Sequence, residues 1–114
     1  MDFSFKAHNA HTGTFHLKGN LIGETDGINI TESFMEQLEQ GIRNVILDLS
    51  ELQHINSSGL GVFITLLTKA RKVGGEVMLA GPSDYIQNLL MITKLNTIFH
   101  IHGSEAEALS SLST

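Results

Sequence analysis

Two serines and two glycines separate apolar runs in "HINSSGLGVF", residues 54–63. The chemistry on offer is that of a displayed hydroxyl. Ser57 and Ser58 follow a strand-like stretch and open a helix-like one, with Asn56 a candidate N-cap. The first N–H groups of a helix lack intrahelical partners and favour an anion. A phosphate on Ser57 would bring about −1.5 to −2 charges to that end and change the surface a partner meets. A turn that only caps a helix uses the same residue types, so "SSG" alone does not separate the two roles. Gly59 and Gly61 carry no side chains to obstruct a protein approaching the serine.

Other reactive constellations fail on their neighbours. Asp48 ends an apolar run as a phosphoacceptor aspartate would, but a magnesium-assisted acceptor needs more carboxylates near the first strand. "FSFKAHNAH" has none, and Asp48 is expected to hydrogen-bond the loop that carries the serines. An esterase elbow needs glycine on both sides of the serine, whereas Ile55 stands two residues before Ser57. Of six histidines, His8 and His11 lie beside the first turn, and His100 and His102 alternate on a strand. These pairs lack the carboxylate or further ligand that a zinc site requires. They read as scattered surface or partly buried side chains that alter net charge near neutral pH. No metal or cofactor site is expected.

Composition narrows the class. With 114 residues the chain is expected to form one domain, residues 1–114. Hydrophobic residues make up 41% and charged residues 17%, the balance of a globular protein. The absence of cysteine removes disulfides, thiolate metal sites and cysteine nucleophiles. The formal charge of −5 argues against direct nucleic-acid binding. The densest basic group, Lys69, Arg71 and Lys72, suits the C-terminal end of a helix instead. "MDFSFKAHNA" lacks the basic flank and apolar run of a signal peptide. "VFITLL" is far short of the roughly 20 apolar residues of a membrane span. A cytoplasmic location without membrane insertion is the expectation.

The elements that must position Ser57 follow from periodicity. Phe3, Phe5 and Ala7 alternate, as do Phe15 and Leu17, and a glycine-containing turn between them predicts a hairpin. Ile30, Phe34, Leu38 and Ile42 fall four apart and predict a helix starting between Thr25 and Thr31, closed by Gly41. "NVILDLS" is nearly continuous and predicts a central strand covered on both faces. Leu60, Phe63, Ile64, Leu67 and Ala70 predict a helix ending at Gly74-Gly75. "EVMLAG" predicts a strand, and "SDYIQNLLMITKL" a helix capped by Ser83 or Asp84. "TIFHIH" and "SEAEALSSL" predict a last strand and helix, with "SSLST" fraying. The order β-β-α-β-α-β-α-β-α calls for an α/β fold whose sheet is mostly parallel after the hairpin.

A longer stretch carries a resemblance. "VILDLSELQHINSSGLGVFITL" is similar to the signature of STAS-domain proteins, the anti-sigma-factor antagonist family. That pattern is an apolar strand ending in Asp-Leu-Ser, a short spacer, then Asp-Ser-Ser-Gly or Asp-Ser-Thr-Gly opening an apolar helix. The resemblance implies a STAS-like mixed sheet of about five strands with about four helices. It also implies partner switching in the regulation of transcription. An unmodified antagonist binds an anti-sigma factor with serine kinase activity, phosphorylation releases it, and a metal-dependent serine phosphatase restores it. Ser57 aligns with the accepting serine, and Asn56, Ser57, Ser58, Gly59 and Leu60 with the partner-binding stretch. ATP and magnesium would belong to the kinase, which makes this chain a substrate and switch rather than an enzyme. Two positions depart from the pattern: Asn56 replaces an aspartate, and Gly19-Asn20-Leu21-Ile22 replaces Gly-Glu-Leu-Asp. The resemblance equally covers fixed STAS subunits of lipid-transport ATPases or stress-signalling assemblies, in which Ser57 would only cap a helix.

Overall fold

The computed structural model describes residues 1–112. The expected hairpin is β1 (Asp2–Ala7) and β2 (Thr12–Leu21), paired antiparallel. Then follow α1 (Glu24–Glu39), β3 (Asn44–Ile55), α2 (Ser57–Lys72), β4 (Glu76–Ala80), α3 (Asp84–Ile92), β5 (His100–His102) and α4 (Glu105–Leu112). A short 3₁₀ turn, Leu95–Thr97, stands between α3 and β5. The strands form one sheet in the order β1-β2-β3-β4-β5, parallel from β2 onward. This is the α/β arrangement that the order of periodic segments demands.

Alternation along the strands sorts side chains to two faces. Phe15, Leu17, Val45, Leu47, Leu49, Val77 and Leu79 join Ile30, Phe34, Phe63, Leu67 and Ile86 in the main core. Phe15 links the hairpin to α1, its ring centroid 4.7 Å from Phe5 and 6.1 Å from Phe34. On the other face, α4 alone among the described helices packs, through a small cluster of Ile46, Met78, Ala80 and Ala108, flanked by Leu109 and Leu112. β3 is therefore covered on both sides, as its continuous apolar run requires.

Several boundaries move. Helix α1 begins at Glu24, one residue before the expected range, with Gly23 as an N-cap that has no side chain to offer. Gly41 does adopt a left-handed conformation, φ +104°, and closes α1. Ile42 lies beyond that closure, buried in the turn into β3 rather than on the helix. In α2 the buried row is Leu60, Phe63, Leu66, Leu67 and Ala70, and Ile64 is 40% exposed. Ser83, not Asp84, caps α3, accepting from Ile86 N at 3.2 Å. That helix stops at Ile92 because Lys94 turns left-handed at φ 61°, so β5 keeps only three residues. Ser110, Ser111 and Leu112 are helical rather than frayed, and Ser113 and Thr114 lie outside the described residues.

Candidate protein-docking site

The largest departure from expectation builds the site. β3 does not end at Ser50 but continues through "ELQHI" to Ile55, paired only with β2. The β3–β4 pairing stops at Asp48 and Ala80, whereas β2 and β3 run on to Leu21 and Ile55. Register shifts between His16 and Lys18 and between Gly19 and Asn20 bend this two-stranded extension. Gly19, at φ +96°, supplies a conformation that side-chain-bearing residues seldom adopt. Leu52 and Ile55 anchor the extension in the main core. The serine turn thus stands beyond the end of the sheet on a packed support.

Asn56 holds the turn together. Its backbone is extended, and its Oδ1 accepts from Gly59 N at 2.9 Å, the capping bond expected of it. Its Nδ2 also donates to the Ile22 carbonyl at 3.1 Å, tying the end of β2 to the start of α2. A carboxylate would serve the first bond but has no N–H for the second. The departure from aspartate at this position therefore has a structural role. Ser57 and Ser58 occupy the first turn of α2, both exposed, and no acidic residue shares that turn. Among the described residues the Ser57 hydroxyl has no hydrogen-bond partner. Asn56 satisfies the third amide of the helix and leaves those of Ser57 and Ser58 facing solvent.

Of the five residues expected to meet a partner, the structure exposes three. Asn56, Ser57 and Ser58 are exposed, while Gly59 and Leu60 are buried. A Cβ on Gly59 would collide with the Leu21 carbonyl oxygen and lie 2.5 Å from Ile55 Cγ1. Gly59 is thus required for close packing of α2 on the extension, not for access. Gly61 has nothing within 4 Å of a built Cβ and does leave open surface, as expected.

Beside the serines lies a surface that periodicity did not single out. A cleft of about 410 Å³ between α1 and α2 is lined by Gly23, Gly27, Ile28, Ser58, Val62 and Thr65. Gly27 permits this close helix approach, since a Cβ there would lie 2.8 Å from Val62 Cγ2. Ile28 is 56% exposed in the cleft wall, and Ile22 and Ile64 are also exposed apolar residues. Ile28 stands off the Ile30–Phe34–Leu38 row, which was the available signal.

The remaining candidates lie elsewhere. Asp48 does not bond the serine loop: its Oδ1 accepts from Ser50 N at 3.1 Å and its Oδ2 faces His16 Nδ1 at 2.8 Å. Lys69, Arg71 and Lys72 fill the last turn of α2, as the helix dipole favours. Arg71 also pairs with Glu76 at 3.2 Å. No helix among the described residues is long and apolar enough to cross a membrane.

The family model for the STAS domain matches residues 6–108, nearly the whole chain. The chain belongs to the STAS domain family. This STAS domain is 37% identical over 98 residues to a Listeria monocytogenes protein named anti-sigma-B factor antagonist, covering 82% of this chain and 85% of that one. A Staphylococcus aureus protein of the same name is 31% identical over 70 residues, covering 60% and 65%. Among solved structures, the anti-sigma factor antagonist SpoIIAA in its unphosphorylated form superposes with a TM-score of 0.86 at 19% identity. That match covers 98% of this chain and 96% of SpoIIAA. The phosphorylated form of the Bacillus protein gives 0.78 at 19% identity, covering 97% and 99%. These likenesses establish the fold.

Proposed function

We propose that this STAS domain is an anti-sigma-factor antagonist switched by phosphorylation of Ser57. The unmodified chain binds an anti-sigma factor with serine kinase activity through Asn56, Ser57, Ser58 and the apolar wall of the α1–α2 cleft. Transfer of a phosphoryl group to Ser57 releases it, and a serine phosphatase restores the docking form. The chain itself is substrate and switch, with no catalytic residue, and works in the cytoplasm on a protein partner rather than on DNA.

The carrying observation is the Ser57 hydroxyl: exposed, unpaired, in the first turn of α2 and next to Ser58, which lines the cleft walled by Ile28 and Val62. A kinase needs such a hydroxyl on a surface it can grip, and the cleft offers the exposed apolar side chain of Ile28, with the carboxylates of Glu24 and Glu32 on the same lining. A phosphate of about −1.5 to −2 charges beside Ile22 and Ile28 would oppose desolvation of that surface. The two free amides of the first turn would accept it without unwinding the helix. The names of the relatives support the antagonist role, and SpoIIAA has been solved in both unphosphorylated and phosphorylated forms.

The test compares wild type with Ser57→Ala and Ser57→Asp for binding to the purified cognate anti-sigma factor. Wild type and Ala should bind and Asp should not, and only wild type should gain one phosphoryl mass with ATP. Equal binding by all three, with no mass gain, would refute the switch and leave Ser57 a helix-start residue on a fixed docking surface.

A further inference from the structure

On the opposite face of the sheet, two histidines converge on one carboxylate oxygen from a distant part of the chain. Glu105 opens α4, but the capping work there falls to its neighbours. Ser104 Oγ accepts from Glu107 N at 3.2 Å, and Glu107 Oε2 accepts from Gly103 N at 2.9 Å. Glu105 turns toward the sheet instead. Its Oε2 is buried, has no hydrogen-bond partner, and lies 3.5 Å from His16 Nε2 and 3.4 Å from His8 Nε2. Behind His16, Asp48 Oδ2 is 2.8 Å from Nδ1.

A carboxylate only accepts hydrogen bonds, so the contact with Asp48 places a proton on His16 Nδ1. A ring carrying only that proton has its Nε2 lone pair available to a metal on the side of the Glu105 oxygen. The 3.4 and 3.5 Å separations exceed the 2.7–3.2 Å of an N–H···O bond. They match the edge of a tetrahedral zinc site, where arms of about 2.0–2.1 Å set neighbouring donors about 3.4 Å apart. Donor atoms of His16, Asp48 and Glu105 all lie within 4.8 Å of one another.

We propose that His16 Nε2 and Glu105 Oε2 bind a divalent transition ion of the Zn²⁺ type. His8 stands outside the His16–Asp48–Glu105 cluster, but its Nε2 is 3.4 Å from the Glu105 oxygen, and it becomes the third ligand by turning from its 2.8 Å contact with Thr14 Oγ1 toward His16. Asp48 is the positioning residue that fixes the His16 tautomer, the usual outer-shell partner of a metal-bound imidazole. Two imidazoles and a carboxylate suit zinc-like ions, with a fourth position left to water. The ion joins the first turn of α4 to β2 and gives the buried Glu105 oxygen a partner. The sequence concealed this site because its carboxylates lie far along the chain from His8 and His16. It is independent of the role proposed for Ser57.

The full chain, stripped with chelator, would be titrated with Zn²⁺ by calorimetry and with Co²⁺ by visible absorption. One ion per chain and a rise in melting temperature on adding Zn²⁺ are expected. His16→Gln and Glu105→Gln should each weaken binding by at least tenfold, and Asp48→Asn by about 10- to 100-fold. A His100→Gln/His102→Gln double variant, altering the other closely spaced histidines, should bind as wild type does. Glu105→Gln keeps the side-chain shape, and circular dichroism of each variant separates lost ligation from lost folding. Wild-type binding no tighter than that of Glu105→Gln would overturn the proposal. So would loss of binding in the His100/His102 variant, or a melting temperature that responds to pH but not to Zn²⁺.

Discussion

Gly59 and Gly61 stand two residues apart in α2, and their replacement by alanine should change stability in opposite directions. Helix propensity alone favours both substitutions, since alanine is better than glycine inside a helix by about 0.8–1.0 kcal/mol. At Gly61 a Cβ meets nothing within 4 Å, so most of that gain should appear. At Gly59 the Cβ would strike the Leu21 carbonyl oxygen, lie 2.5 Å from Ile55 Cγ1 and sit 3.1 Å from Leu21 Cγ. Carbon atoms prefer about 3.5–4.0 Å, so the helix start must move about 1 Å from the β2–β3 extension. Overpacking of this kind costs about 1–3 kcal/mol. A bonded backbone oxygen cannot swing aside as a flexible side-chain end can, which places the cost near the upper end. The expected net loss is about 2 kcal/mol. At about 4 °C per kcal/mol for a domain of this size, Gly59→Ala should lower the melting temperature by about 8 °C and Gly61→Ala should raise it by about 3 °C. Urea unfolding followed by circular dichroism, with thermal melts beside it, measures both. A Gly59→Ala protein as stable as wild type, or a destabilised Gly61→Ala, would refute the division of roles between the two glycines.

Asn56→Ala should cost about 1 kcal/mol through loss of the cap, and more if the Ile22 tie contributes separately. Asn56→Asp should fall between wild type and alanine, because it keeps the cap and the favourable dipole but cannot donate to the Ile22 carbonyl. Urea midpoints of the three proteins check that order. Ile28→Lys, at an exposed position in the cleft wall, should leave stability within about 0.5 kcal/mol. It should weaken anti-sigma-factor binding by tenfold or more, measured by calorimetry; unchanged affinity would place the docking surface elsewhere.

Periodic apolar residues made the element order legible, because strand and helix periods differ and each buried face had to be continuous. What escaped was polar or long-range. "ELQH" reads as a spacer since Glu51, Gln53 and His54 are exposed on an extension paired on one side only, yet Leu52 and Ile55 hold it to the core. Ile64 fits the three-and-four spacing of α2, but a helix face is narrower than the set of positions that fit, and Leu66 took the interior place. Ser57 was legible because its local motif is contiguous. The second bond of Asn56 was not, since its acceptor lies 34 residues away.

The unequal covering of the sheet has a consequence for how the molecule opens. The helices that frame the serine turn share the main core, whereas α4 rests on the small cluster around Ile46, Met78 and Ala80. Two regions joined by such different amounts of buried surface unfold locally at different free energies. The amides of α4 therefore belong to a shallower cooperative unit than those of α1 and α2. An event confined to the back of the sheet can release α4 while the serine turn and the α1–α2 cleft in front keep their shape.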